Sequence, residues 1–445
     1  MGQNKNSGGW GSRLGFILAS AGSAVGLGAI WKFPYMAGTN GGAVFMLPFI
    51  FFTLTIGIAL LTAEFAMGRA GRQGAVGSLR NVAGRFWGWF GGIGVFTVFL
   101  ILSFYSAVGG WCIKYMADAA TGNGLIPDAA QLTERFGGFV SDPVLSYAYL
   151  LAFLAATAFV VMKGVESGIE KVAKVLMPAL FILMVILIIR GVTLPGGWKG
   201  VEFLFTPRLS DFNGSALFNA MGFSFFSLSL GAGTMITYGS YLNPKADLPS
   251  SVGWVAFLAI LSAILGGLMV MPAVFAFSLD PGAGPGLTFV TMPAVFSQMP
   301  FGSAFATAFY VCLFVAALTS SVSMLEACVA LLMQEAGFGR FQAIVAVLIG
   351  TAAVGFCANM SFGPWGDVTL FGKNIFDLLD YVTSNVGMPL SSFGIAIAAA
   401  WIAWPVTKKE LQSARALSPA SLAVMRFLIG FCAPVFVAAV AIGSL

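Results

Sequence analysis

The sequence predicts an all-α integral membrane fold of eleven transmembrane helices, the first and sixth of them broken. Three observations predict it. Of the 445 residues 58% are hydrophobic and only 9% are charged, and the mean hydropathy is +0.92, which excludes a soluble globule. Apolar runs of about 20 residues, enough to span a bilayer as a helix, recur to the end of the chain. Two of these runs are interrupted by paired glycines, Gly26 with Gly28 and Gly231 with Gly233.

Taken in order, the first helix is expected near 14–38, starting at Leu14 and running through the glycine pair, and the second near 42–69, from Gly42 to Arg69. The third follows near 89–117, the fourth near 144–163 and the fifth near 168–190, each bounded by charged, Gly or Pro positions. The sixth is placed near 214–241 and holds Gly231 and Gly233. The remaining five are expected near 251–277, 303–335, 341–359, 375–405 and 419–444. Loops 118–143 and 191–213 are rich in Gly, Pro, Asp and Asn and are expected to carry short surface helices. With a cytoplasmic N-terminus, fifteen Lys and Arg fall inside and seven outside, so the expected topology is N-in, C-out in the cell membrane. The net charge of +5 then serves anionic lipid headgroups of the bilayer, and no nucleic-acid partner is expected. The first apolar segment leads into the glycine-rich stretch rather than into a cleavage site, so the N-terminus is expected to be retained. Cys112, Cys312, Cys328, Cys357 and Cys432 lack metal-ligand spacing and read as packing residues, with neither a disulfide framework nor a zinc site.

Glycine pairs in the first and sixth spans stand at corresponding positions of two five-helix halves, the pattern of an inverted-repeat transporter with its site between the broken helices. Unwound backbone exposes N–H and C=O groups that cost several kcal/mol each in hydrocarbon unless a ligand or a cavity satisfies them. The competing explanation is close helix packing through small residues. On the transporter reading the chain is one transmembrane domain over 1–445, divided into a first repeat (14–190), an inverted second repeat (214–405) and an eleventh helix (419–444).

The stretches RLGFILASAGSAVGLGAIWKFP (Arg13 to Pro34), NGGAVFMLPF (Asn40 to Phe49), AEFAMGR (Ala63 to Arg69), FFSLSLGAG (Phe225 to Gly233), ALTSS (Ala317 to Ser321) and FDLLDY (Phe376 to Tyr381) occur in this order. On them the chain resembles the neurotransmitter:sodium symporter family, with the leucine-transporter fold, over nearly its whole length. The resemblance implies an eleven-helix bacterial-type member with a 5+5 inverted repeat. It also implies coupling of inward sodium flow to uptake of an amino acid or related carboxylate-bearing solute by alternating access.

Sodium is a hard cation that needs about five or six oxygens, which unwound carbonyls and hydroxyls supply without burying a fixed charge. The resemblance assigns one sodium site to the carbonyls of Gly22, Val25 and Ala316 with the hydroxyls of Thr319 and Ser320. Ordinary bonding of Thr319 and Ser320 back to a carbonyl one turn earlier is the alternative. At the family's other sodium site two side-chain ligands are replaced by Ala29 and Leu258, and Ser227 cannot stand in for both. The chloride positions read Phe49, Ser224 and Leu258, leaving only Ser227 and Ser262. One sodium site and no chloride requirement are therefore expected.

For the substrate the resemblance implies amides around Gly26, Leu27 and Gly28 facing a carboxylate, with the Tyr105 hydroxyl beside it and the carbonyls of Ala24, Phe226 and Ser227 for an ammonium. Ile101, Phe226, Ser229, Ala232, Ser320 and Met324 would bound the side chain, small Ala232 implying a long pocket for an apolar, medium-to-large amino acid. Lys32 and Asp380 match an extracellular gate pair, though Lys32 at an interface also suits simple snorkelling. On the inner side the usual pair reads Ser7 and Gln334, so closure would rest on Trp10 and Tyr241 or on another pair. Gly168 and Pro178 match a segment that unwinds toward the sodium site, or mark a helix start and a kink. Glu64 and Glu326 are intramembrane carboxylates, functional candidates or structural partners of broken backbone.

The absence of histidine, of a metal motif and of a nucleophile with a base argues against a membrane enzyme. A channel is the second competitor. A proton-coupled or sodium-independent transporter of an amino-acid-like solute such as taurine or betaine is the third. The remaining expected partners are a small-molecule substrate and the sodium ion, the chain being a monomer or weak homo-oligomer.

Overall fold

The structure, a computed structural model, describes residues 9–208, 210, 212–282 and 286–443. Among them nine helices are long and apolar enough to cross a membrane: Ala43–Gly71, Arg85–Thr121, Pro143–Met162, Val165–Val192, Leu248–Ala276, Gly302–Glu335, Arg340–Met360, Ile375–Ile402 and Pro419–Ala441. The first span is a bent pair, Arg13–Ala24 and Gly28–Thr39, with 47° between its halves. The sixth is also in two pieces, Gly214–Ser227 and Thr234–Ser240. Both breaks fall at the glycine pairs.

The breaks have a backbone cause. The first half-helix ends at Ala24, and Val25 after it leaves helical geometry with ψ +48°. In the sixth span Ser229, Gly231 and Gly233 have φ of 53°, 75° and 71°. A helix requires φ near −63° at every residue, so three left-handed residues at alternate positions stop it. Glycine adopts that region freely and serine does not. Ser229 is held there by its hydroxyl, which donates to the Ser23 carbonyl at 3.1 Å, and by its N–H, which donates to the Phe226 carbonyl at 3.0 Å.

Small residues bring neighbouring backbones onto the broken sixth helix. A Cβ at Gly94 of the third helix would stand 2.8 Å from the Gly231 carbonyl oxygen. One at Gly68 of the second helix would stand 2.0 Å from that of Ile236, and one at Gly239 2.8 Å from that of Phe65. The third and eighth helices pack along one another most extensively and form the centre of the bundle. The fifth turns Val175, Ile182 and Ile189 outward at 64%, 61% and 60% exposure, a stripe with a spacing of seven that suits hydrocarbon rather than water. All five cysteines are free thiols, three of them buried.

Short helices Ala129–Ser141 and Trp198–Phe205 occupy the two long loops where surface helices were expected. Leu287–Ser297 and Trp404–Leu411 were not anticipated. The Gly168 to Pro178 segment is not unwound. It is helical throughout, opening with a π-helical turn over Val165–Glu170. A Cβ at Gly168 would lie 2.4 Å from the Val160 carbonyl, so glycine there permits close contact with the fourth helix.

Candidate functional site

The last carbonyls of a helix lack intrahelical partners. At the first break the Val25 N–H donates to Ala21 at 2.6 Å, and the carbonyls that follow are released. Ser320 of the eighth helix donates its hydroxyl to two of them, Gly22 at 3.1 Å and Ser23 at 3.0 Å. The Ala29 N–H bonds to Gly26 rather than to Val25, freeing the Val25 carbonyl as well. Thr319 donates to Val315 and Ala316, both at 3.1 Å, the bond back to its own helix, while its oxygen keeps lone pairs free. A Cβ at Gly22 would touch Thr319 Cβ at 3.1 Å. Gly22, Ala316, Thr319 and Ser320 are thus brought together, with Val25 one turn along the same broken helix.

On the other side of the break the Leu27 N–H donates to the Tyr105 hydroxyl at 3.1 Å. A Cβ at Gly26 would lie 2.3 Å from Ser320 Oγ and 3.0 Å from Tyr105 Oη, and one at Gly28 3.0 Å from the Phe226 ring. Ala24, Gly26, Gly28, Ile101, Tyr105, Phe226, Ser227, Ser229, Ala232, Ser320 and Met324 line one central cavity. Leu27 does not: it borders a second cavity beyond Phe226, and its amide reaches Tyr105. The central cavity is narrow in this conformation, about 30 Å³, against about 270 Å³ for the second. Gly28, Ile101, Tyr105 and Phe226 border both, so they meet at the Phe226 ring.

Four lining residues escaped the sequence reading: Ser23, Val98, Thr234 and Met388. Val98 stands three residues before Ile101, on the same helix face, and that spacing was available as a signal. Met388 comes from the tenth helix, which nothing local in its sequence marks as a cavity wall.

Lys32 and Asp380 line the second cavity but form no ion pair there. The Lys32 ammonium sits 4.6 Å from the Phe226 ring centroid, and Asp380 accepts from the Ser384 hydroxyl at 3.2 Å. Trp10 and Tyr241 do meet at the other end of the bundle: the Trp10 N–H donates to the Tyr241 carbonyl at 3.3 Å, and its indole N–H to Tyr238 at 3.0 Å. The pair missing from the sequence reading of that end is Glu326 with Arg340 at 2.5 Å, and the Tyr241 hydroxyl donates to Glu326 at 2.9 Å. Gln334 accepts from the Gly74 N–H at 2.6 Å, whereas Ser7 lies outside the described residues. Glu170, only 2% exposed, accepts from the Gly11 N–H at 2.7 Å and the Ser12 hydroxyl at 2.8 Å, and pairs with Lys174 at 2.6 Å. Glu64 accepts from the Gly231 N–H at 2.7 Å, so it binds broken backbone directly.

Two broken helices whose freed carbonyls and amides surround a narrow cavity inside an apolar bundle define a secondary transporter. The sequence matches the sodium:neurotransmitter symporter family over residues 7–125 and 140–445. The chain belongs to that family, and it is a sodium-coupled membrane transporter rather than an enzyme. It is 42% identical over 406 residues to the sodium-dependent transporter YhdH of Bacillus subtilis (strain 168), covering 90% of this chain and 89% of the relative. It is 27% identical over 447 residues to the human sodium- and chloride-dependent GABA transporter 2, covering 88% of this chain and 72% of that one. The crystal structure of MhsT in complex with L-phenylalanine superposes with a TM-score of 0.91 at 39% identity, covering 99% of this chain and 100% of that one.

Proposed function

We propose that the chain imports an amino acid, or a related solute bearing a carboxylate, together with one sodium ion by alternating access. The observation that carries the substrate class is the pairing of the Leu27 amide with Tyr105 beside a glycine that leaves the backbone bare. An incoming carboxylate would take both donors, and the carbonyls of Ala24, Phe226 and Ser227 would receive the ammonium. Relatives support the class: MhsT was crystallised with L-phenylalanine, and GABA is itself an amino acid.

The sodium site in this reading consists of the carbonyls of Gly22, Val25 and Ala316 with Thr319 and Ser320. A second site has no comparable support. Ala29 and Leu258 bring no side-chain oxygen, a Cβ at Gly266 would lie 2.3 Å from the Ala29 carbonyl, and Ser227 and Ser262 donate to Ser224 and Ala259 of their own helices. The same two serines are the remnant of a chloride site, so no chloride requirement follows. The N-terminus is cytoplasmic and the C-terminus external, 14–190 and 214–405 are the two repeats, and Lys32 with Asp380 closes the outer gate once substrate is seated. Inner closure rests on Trp10 and Tyr241 with the Glu326–Arg340 pair.

In proteoliposomes uptake should depend on sodium with a Hill coefficient near one and persist when gluconate replaces chloride. Thr319→Ala with Ser320→Ala should abolish sodium-driven uptake in folded protein. A coefficient approaching two, or loss of uptake without chloride, sinks the single-site reading. A second reading, proton coupling through Glu64, has one observation in its favour: its second carboxylate oxygen is buried without a partner among the described residues. Uptake driven by a pH gradient in sodium-free vesicles would select it.

A further inference from the structure

The hydroxyls lining the central cavity are committed, with one exception. Ser23 pairs with Ser323 at 2.7 Å, Ser229 and Ser320 donate to freed carbonyls, Ser227 donates to Ser224, and Tyr105 holds the Leu27 amide. Thr234 is 1% exposed, lines the same cavity, and its Oγ1 has no hydrogen-bond partner among the described residues. A buried hydroxyl without a partner is costly and uncommon, so a threonine kept in a cavity wall in this state points to a partner that arrives with the ligand.

Its position says which part of the ligand. Thr234 follows Gly233, where a Cβ would lie 3.2 Å from the Val95 side chain, and it lines the cavity together with Ala232 and Val98. Val98 and Tyr105 are seven residues apart on one continuous helix, a rise of about 10 Å between cavity wall and carboxylate end. An α-carboxylate to ring hydroxyl distance in an amino acid such as tyrosine is of that order. Val98, Ala232, Met324 and Met388, which line the cavity with Thr234, are apolar and offer no competing partner.

We propose that Thr234 determines specificity: its hydroxyl recognises a neutral hydrogen-bonding atom at the tip of a long substrate side chain, so that the site selects tip-hydroxylated amino acids over apolar ones of the same shape. This rests on the amino-acid reading of the cavity given above. The test is competition binding to the purified full chain with two matched pairs, tyrosine against phenylalanine and 6-hydroxynorleucine against norleucine. The wild type should bind the hydroxylated member roughly fivefold or more tightly, the gain from one neutral hydrogen bond in place of a buried unpaired group. Thr234→Val should bring both ratios toward one, and Thr234→Ser should keep them. Equal ratios in wild type and Thr234→Val overturn the proposal. Should Thr234→Val misfold, the wild-type ratio decides alone, and a value of one or below overturns it. Binding of none of the four by folded wild type overturns the amino-acid reading itself, an outcome visible before any variant is made.

Discussion

At Gly26 a side chain is excluded from two directions at once, by Ser320 Oγ and by Tyr105 Oη. Both obstacles are side chains anchored elsewhere, Ser320 to freed carbonyls and Tyr105 to the Leu27 amide, so neither can swing aside without breaking a bond. Gly26→Val should therefore abolish substrate binding in a scintillation-proximity assay while leaving folded protein by size exclusion. Tyr105→Phe keeps the ring and removes one hydroxyl. It should weaken binding of the carboxylate-bearing substrate by roughly 1.5 to 3 kcal/mol, the value of a hydrogen bond to a charged group, and add little for a methyl ester of the same compound. Equal losses for acid and ester would place the carboxylate elsewhere. Glycines such as Gly26 were legible in the sequence because an absent side chain in an apolar span is conspicuous. Thr234 was not, since what distinguishes it is a buried hydroxyl without a partner among the described residues, and only the packed fold shows that.

Both broken helices were legible as elements, because paired glycines are the residues that a left-handed or tightly approached backbone needs. Gly168 shows the limit of that reasoning: the same residue type there serves contact with Val160 rather than unwinding, and composition does not separate the two. The start of the first helix was legible only in part. Ser12 is its N-cap, accepting from the Gly15 N–H at 3.0 Å, while its hydroxyl donates to Glu170, more than 150 residues away in sequence. A Cβ at Gly15 would lie 2.2 Å from the Glu170 carboxyl carbon, so the carboxylate rests against bare backbone. Glu170 thus anchors the beginning of the first helix to the fifth. Glu170→Ala should release that turn, removing bonds worth about 1 kcal/mol or more, and raise amide hydrogen exchange over Gly11–Gly15 several-fold. Unchanged protection there would mean that Trp10 and Arg13, which donates to Ser250 and Ser251, hold the turn without it.

For the whole molecule, hydropathy made the all-helical architecture and the order of its long spans legible, because each span satisfies its own backbone and is recognisable by itself. The ties between distant segments were not. The guanidinium of Arg69, at the end of the second helix, is 1% exposed and bonds to the Glu410 carboxylate, to the Ala246 carbonyl at 2.7 Å and to the Ser413 hydroxyl at 2.8 Å. One side chain therefore joins segments up to 344 positions apart. Arg69→Ala would leave those acceptors facing a void and should lower unfolding stability by roughly 3 kcal/mol, read as a lower thermal midpoint in detergent. Arg69→Lys should recover only part of it, since an ammonium lacks the planar fork that reaches several acceptors at once.

The close backbone contacts at Gly68 and Gly239 have a mechanical meaning. A seven-residue half-helix is a weak beam by itself, yet Thr234–Ser240 lies directly against the long second helix, with its bare backbone where a methyl group would not fit. Laminated in this way, the short piece takes on the bending stiffness of its neighbour. Trp10 fastens the entry to the first helix onto the same piece through Tyr238 and Tyr241. A push delivered near Trp10 is then spread over this composite beam rather than borne by the half-helix by itself.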